Sequence, residues 1–273
     1  YITFRILDIA DLSCDGTFAL GGCISAILIT KGVNPFLTLL FALVGGMLAG
    51  LVTGWLHTKL MIPAILAGIL TMIALWSINI RVMGGPNVSL LGEDTAFTQM
   101  MSLLGVDQTL ATLLVGVIIG IIVIAALYWF FGTEIGCALR ATGNNEFMVR
   151  ALGGNTDTSK VLGLVISNGL ISVSGALVAQ NQGYGDIKMG TGSIVIGLAS
   201  IVIGEVIFGK RFNFAYILAS LIGGAIVYRM IISLVLHLGL STDDMKLFTA
   251  IIVALALGIP ALKTKYSHRR TPA

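Results

Sequence analysis

TLATLLVGVIIGIIVIAALYWFF, residues Thr109 to Phe131, carries no charged side chain from end to end. A helix rises about 1.5 Å per residue, so this stretch is long enough to cross a hydrocarbon core of roughly 30 Å. A soluble core has no use for so long an apolar run, whereas lipid requires it.

Working outward, similar blocks recur at Phe36–His57, Pro63–Ile80, Ser159–Gln180, Phe214–His237 and Met245–Leu262. Two shorter ones lie at Thr17–Thr30 and Ile194–Phe208. The composition agrees: 56% of residues are hydrophobic and 11% charged, against roughly 25% charged in a soluble domain. The expected fold is all-α, a polytopic membrane protein of about eight transmembrane helices with short or re-entrant segments. The whole chain, 1–273, reads as one transmembrane domain, and 133–158 as a loop within it. The opening YITFRIL is apolar but too short to span, and reads as the tail of a helix.

The short blocks are each preceded by a polar stretch with glycine and aspartate, a pattern that marks binding or translocation sites in transporters. They also resemble one another. DLSCDGTFALGGCIS from Asp11 and DIKMGTGSIVIGLAS from Asp186 align so that Gly22 meets Gly197 and Ser25 meets Ser200. Basic residues set the orientation. With Thr133–Asp157 and the C-terminus cytoplasmic, alternation places Lys59, Arg140, Arg150, Lys160, Lys210, Arg211, Lys263, Lys265, Arg269 and Arg270 inside. Lys31, Arg81, Lys188 and Lys246 then lie outside. The two similar segments run in opposite directions in that topology, as weak inverted repeats do. The net charge of +3 sits mostly at chain and helix ends, which reads as topology and not as nucleic-acid binding.

Other chemistries find little support. Cys14, Cys23 and Cys137, and His57, His237 and His268, have no metal spacing. Gly204–Lys210, GEVIFGK, matches a phosphate-binding loop until Arg211 replaces the Ser or Thr that would hold magnesium. No HExxH and no paired nucleophile and base appear. Glycines four apart in GMLAG, GLVTG and GVIIG (Gly46, Gly50, Gly54, Gly116, Gly120) predict close helix packing, within one chain or between two copies.

The loop Gly136–Asp157, GCALRATGNNEFMVRALGGNTD, predicts a short helix. Asn144 or Asn145 caps it, Glu146 suits its first turn, and Gly153-Gly154 ends it. Phe147, Met148, Ala151 and Leu152 form its apolar stripe, with Arg150 beside them. Such a stripe packs on the membrane interface or docks in a partner's groove.

LRATGNNEFMVRALGGNTD, followed by a span ending in SGALVAQNQGYG, resembles the permeases of ABC importers of the branched-chain amino acid and ribose type. LDIADLSCDGTFALGG is similar to that family's polar break, and GSIVIGLASIVIGEVIFG to its second re-entrant region. The likeness covers nearly the whole chain and is strongest to small permeases associated with aromatic amino-acid uptake. Family members start with a complete first helix, which this sequence lacks.

The resemblance implies a homodimeric pathway in the cell membrane and two ATPase subunits that carry ATP and magnesium. It also implies an extracellular binding protein, with no cofactor in this chain. It makes Asn144–Leu152 the element seated on the ATPase.

Polar residues in or near spans are costly there and are candidates for the substrate path. These are Asp11, Asp15, Gly16, Thr17, Asn168, Gln180, Asn181, Gln182, Asp186, Thr191 and Ser193. Asp11 or Asp15 suits an ammonium. A half-helix start at Gly16–Thr17 or Thr191–Ser193 suits a carboxylate. The bland role for each is a helix cap or a structural hydrogen bond. An ion-coupled secondary transporter, or an importer of a sugar or nucleoside, fits the same features.

Overall fold

The computed structural model describes residues 1–209 and 214–237, with residues 247, 250, 251 and 254. The expected span Met245–Leu262, the Lys210-Arg211 pair and the basic tail lie outside these residues.

The helices are α1 (Cys14–Thr30), α2 (Pro35–Thr58), α3 (Ala64–Met83), α4 (Ala96–Leu104), α5 (Gln108–Gly132), α6 (Glu134–Asn144), α7 (Glu146–Ala151), α8 (Thr156–Gln182), α9 (Ser193–Phe208) and α10 (Phe214–His237). Six helical segments among the described residues are long and apolar enough to cross a membrane: Pro35–Thr58, Ala64–Met83, Gln108–Gly132, Thr156–Gln182, Ile187–Phe208 and Phe214–Leu234. The shorter α1, at 17 residues, is apolar as well. The fold is therefore all-α and polytopic.

The chain divides into two compact units, Tyr1–Ser193 and Ile194–Ala273. In the first, α8 is the axis. A Cβ on Gly46, Gly50 or Gly54 of α2 would strike α8 at Asn168, Leu164 and Val161 in turn. The two helices therefore run antiparallel at a separation only glycine permits. α1 lies parallel to α8, with Thr17 bonded to Asn168 and Ser25 to Gln180, and with Gly21 close against Ser172 and Gly175 against Phe18. The glycine spacing in α2 thus serves packing inside the chain. Gly116 of α5 differs, since a Cβ there meets nothing within 4 Å.

Side chains follow the same logic. Leu20, Ala49 and Leu75 join α1, α2 and α3. Cys23 packs with Met83 and Ile187, and Ala26 and Ile29 pack with Leu90. Lipid is no worse a solvent for these groups than protein, so packing and polar contacts must hold the bundle.

One end of this unit gathers the end of α2, the starts of α3 and α8, and α6 and α7. Lys59, Arg140, Arg150 and Lys160 lie on these segments. Lys31, Arg81 and Lys188 sit on the segments at the other end. That end is closed by a two-stranded ribbon in which Asn87–Ser89 pairs antiparallel with Tyr184–Asp186.

The long polar connection Arg81–Asp107 holds more structure than its composition suggests. Its helix α4 begins at a Thr95–Thr98 capping box and buries Ala96 and Phe97. The loop 133–158 likewise holds two helices. Thr133 caps α6 through Gly136 N–H, and Asn145 ends α6 and caps α7 through Met148 N–H. Asn145 is therefore the cap, and Asn144 is the last residue of the preceding helix.

In the second unit α9 and α10 pack antiparallel. Ala199 and Ile203 meet Tyr228 and Ile232. A Cβ on Gly204 would meet the Ser220 carbonyl, and one on Gly224 the Ser200 carbonyl. The paired aspartates of the sequence repeat share a local geometry. Ser13 N–H donates to Asp11 Oδ1 at 2.9 Å, and Lys188 N–H donates to Asp186 Oδ1 at 2.6 Å. Asp11 thus closes a turn just ahead of α1, whereas Asp186 caps the 3₁₀ turn Ile187–Gly190 that precedes α9.

Candidate functional site

Two polar knots and one elbow hold many of the polar side chains singled out in the sequence. The first knot lies where α1 begins. Asn168, fully buried at 0% exposure, points from the middle of α8 at the irregular chain before α1. Its Nδ2 donates to Asp11 Oδ2 at 2.8 Å and to the Leu164 carbonyl at 3.1 Å. Its Oδ1 accepts from the Thr17 hydroxyl at 2.7 Å. The Ser13 hydroxyl donates to Asp11 Oδ1. Each buried group thus has its partner, as a low-dielectric site demands. Asp11, 4% exposed, is held by neutral donors from two elements.

Asp15 lies one turn further along. It is half-buried and accepts from Gly192 N–H and the Ser193 hydroxyl, both at 2.9 Å. It ties the first turn of α1 to the segment after the 3₁₀ turn Ile187–Gly190. Gly190 itself abuts the Asp15 carbonyl. The Gly16 carbonyl accepts from Asn79 Nδ2 at 3.3 Å. Asn79 is buried on α3, and its Oδ1 has no partner among the described residues.

The second knot sits at the ribbon end. Gln180 of α8 donates through Nε2 to Ser25 Oγ at 2.9 Å and to the Pro35 carbonyl at 3.2 Å. Ser25 and Thr38 hydroxyls lie 2.9 Å apart, and Ala96 N–H donates to Gln180 Oε1 at 2.9 Å. One side chain therefore gathers α1, α2, α4 and α8. Asn181, Gln182 and Thr191 are exposed, and Asp186 is half-buried in the ribbon. Thr112 reaches Asn181 at 3.4 Å. These four take no part in either knot.

The elbow is α7. Phe147 is 84% exposed, Leu152 80% and Met148 46%. Its opposite side is anchored. Lys160 Nζ lies 2.7 Å from Glu146 Oε2, and Arg150 Nη2 lies 2.8 Å from Glu146 Oε1 and 3.1 Å from Asp157. The Thr156 hydroxyl donates to Glu146 Oε1. The hydrogen bond from Lys160 is the main reason the Glu146 carboxyl titrates below the ordinary glutamate range, with Thr156 and Arg150 adding to it and partial burial opposing it. Asn155 caps α8 through Asp157 and Thr158 N–H. A six-residue helix cannot stand by itself. These ties make α7 an extension of α8.

Ser13, Asn79, Thr38, Thr156 and Lys160 carry contacts that sequence reading did not assign. Ser13 lies between Asp11 and Asp15, which is the one signal that pointed to it. Of the cysteines, Cys14 and Cys23 are buried and Cys137 is exposed.

Apolar helices long enough to cross a membrane, drawn together by buried polar knots, define a multi-pass membrane protein. Its family follows from comparison with known proteins. The chain belongs to the family described as branched-chain amino acid transport system / permease component, whose model matches residues 1–259. It is a permease, a transport subunit and not an enzyme. It is 40% identical over 253 residues to the tyrosine transport system permease protein of Clostridioides difficile, covering 93% of this chain and 82% of that protein. It is 35% identical to the uncharacterized protein RP368 of Rickettsia prowazekii, covering 94% and 90%. The ribose import permease protein RbsC of Escherichia coli K12 is 28% identical over 170 residues, or 61% of this chain and 51% of that protein. No solved structure matches.

Proposed function

We propose that this chain forms the translocation path of an ATP-binding-cassette importer for an amino acid. In this reading two copies make the path, and two ATPase chains hold ATP and magnesium. An extracellular binding protein delivers the substrate, and residues 133–158 face the cytoplasm. The observation that carries it is the mechanical continuity of α7 and α8. An exposed apolar elbow is tied by Glu146 to Lys160, on a helix whose middle grips the start of α1 through Asn168. Asn145, Glu146, Phe147, Met148, Arg150, Ala151 and Leu152 belong to the docking element, with Asn144 at its edge.

Motion of the elbow then reaches Asp11, Thr17 and Asn168 without passing through flexible chain. Asp15, Gly16 and Ser193 lie at the same break. Asp15, half-buried, suits a substrate ammonium better than the enclosed Asp11 does. Binding energy drives such a change only through its difference between two states, and the ATPase supplies that difference. The tyrosine permease relative supports an amino acid as cargo, and an aromatic one in particular.

The test is uptake by proteoliposomes carrying this permease, its ATPase and its binding protein. ATP-dependent accumulation of labelled L-tyrosine is the expected result. Accumulation of ribose instead would reassign the cargo. Accumulation driven by an ion gradient with no ATPase present would refute the mechanism.

A further inference from the structure

At the α7 end of the first unit, a cavity of about 450 Å³ opens between the chain before α1 and the starts of α3, α7 and α8. Ligand pockets commonly span roughly 300–1,000 Å³. Neither the polar knots nor the exposed face of α7 uses it.

Its charged lining is asymmetric. Glu146 and Lys160 satisfy each other at 2.7 Å. Asp8 also lines the cavity, and its carboxylate meets no donor among the described residues. Its backbone has φ 54°, a left-handed conformation that Asp and Asn tolerate better than most residues. The start of α3 lines the same cavity, and there Pro63 caps the helix with no side-chain hydrogen bond. The Ala64 and Ile65 N–H groups therefore keep the unmet donor capacity of a helix start, and both residues line the cavity. His57 lines it too, with Nδ1 at 2.9 Å from the Ile62 carbonyl, which leaves Nε2 for a ligand. Ile9 and Pro63 add apolar wall.

One exposed carboxylate without a cation, the donors of a helix start, an imidazole and apolar wall, all lining one cavity, match a zwitterion. We propose that this cavity is a binding site for a free α-amino acid, apart from the translocation path. Asp8 takes the ammonium, while His57 and the first turn of α3 take the carboxylate. Because Glu146 and Lys160 form one wall, an occupant touches the tie that anchors α7. The site therefore lets amino acid on this face slow ATP-driven uptake. The geometry stands without the transport reading, and only the choice of L-tyrosine as probe rests on it.

The experiment is titration calorimetry of the full chain in detergent with L-tyrosine and with L-leucine. Tyramine, which lacks the carboxylate, and 3-(4-hydroxyphenyl)propionate, which lacks the ammonium, are the paired controls. Wild type should bind an amino acid, and each control should bind roughly tenfold more weakly or worse. Asp8→Asn keeps a residue suited to the left-handed backbone and removes only the charge. It and His57→Gln should each weaken amino-acid binding by about tenfold and leave tyrosine uptake from the opposite face intact. Absence of binding by both amino acids overturns the proposal, as do affinities in both variants equal to wild type. Failure of ATP-driven uptake would strike the transport reading alone, since the calorimetry needs no transport.

Discussion

The ammonium of Lys160 lies 2.7 Å from a carboxylate oxygen of Glu146, joining the first residue of α7 to the second turn of α8. The pair is partly shielded, and Arg150 and Thr156 share the same carboxylate. An exposed ion pair contributes about 0–1 kcal/mol, so its worth here lies in direction more than in stability.

Removing it should uncouple the protein without unfolding it. Glu146→Ala or Lys160→Ala should lower substrate moved per ATP hydrolysed by several-fold while the melting temperature changes little. The charge swap Glu146→Lys with Lys160→Glu should restore part of the coupling. Transport stoichiometry measured beside thermal unfolding decides this, and unchanged stoichiometry in both single variants would remove α7–α8 continuity from the mechanism.

The same pair has a pH signature. Lys160 first, then Thr156 and Arg150, hold the Glu146 carboxyl below its ordinary value. A group whose pKa falls on folding adds stability above its unfolded value, about 4.3 for glutamate, and loses it as pH drops through the folded value. The elbow should therefore stay anchored from pH 8 to about 5 and loosen on further acidification. A spin label at Leu152 in a Cys137→Ser background should report constant mobility over that range and rising mobility below it. Glu146→Gln should abolish the dependence.

Much of this architecture was legible in the chain because lipid imposes a simple rule. A run such as Thr109–Phe131 has no alternative to a spanning helix, and the Asn144-Asn145 pair announced a helix start through its capping chemistry, of which the fold uses Asn145. What stayed hidden depends on residues that meet only after folding. Ser13 and Asn168 are 155 positions apart, and no local pattern links them. α4 was missed because a Thr95–Thr98 box carries a weaker signal than Ser or Thr with Glu, and it sits within polar chain. The glycine runs announced close packing, but only the fold showed α2 against α8 with Gly116 standing open.

Phe147 and Leu152 face outward, so replacing them costs the fold little. Phe147→Ser with Leu152→Ser should leave unfolding within about 0.5 kcal/mol of wild type. Co-purification with the ATPase should fall sharply, because buried apolar anchors carry most of an interface. Retained ATPase binding by the double variant would move the docking surface elsewhere.

The glycines of α2 and α5 should separate by context. A Cβ on Gly50 strikes the Leu164 carbonyl, which is backbone and cannot turn aside. Gly50→Val should lower stability by about 1–3 kcal/mol or more, as overpacking does. Gly116→Val, with open space around it, should be tolerated. Melting temperatures of the two variants in one detergent test the contrast, and equal losses would contradict α2–α8 contact as the reason for the glycine.

Asn168 offers the sharpest test of the first knot. Its amide donates to Asp11 and its carbonyl accepts from Thr17, so the side chain matches both neighbours in a single orientation. Asn168→Leu keeps the branching of the side chain, is bulkier, and strands the Asp11 carboxylate oxygen; an unsatisfied buried polar group alone costs about 1–3 kcal/mol, more when charged. Asn168→Asp places a second acidic side chain against Asp11, and should be the worse of the two at neutral pH. Asp11→Asn added to Asn168→Asp restores a donor facing an acceptor and should recover stability. Double-mutant thermal unfolding measures that recovery. Strictly additive losses would mean that the two side chains act independently, and that α8 does not hold the start of α1 through this contact.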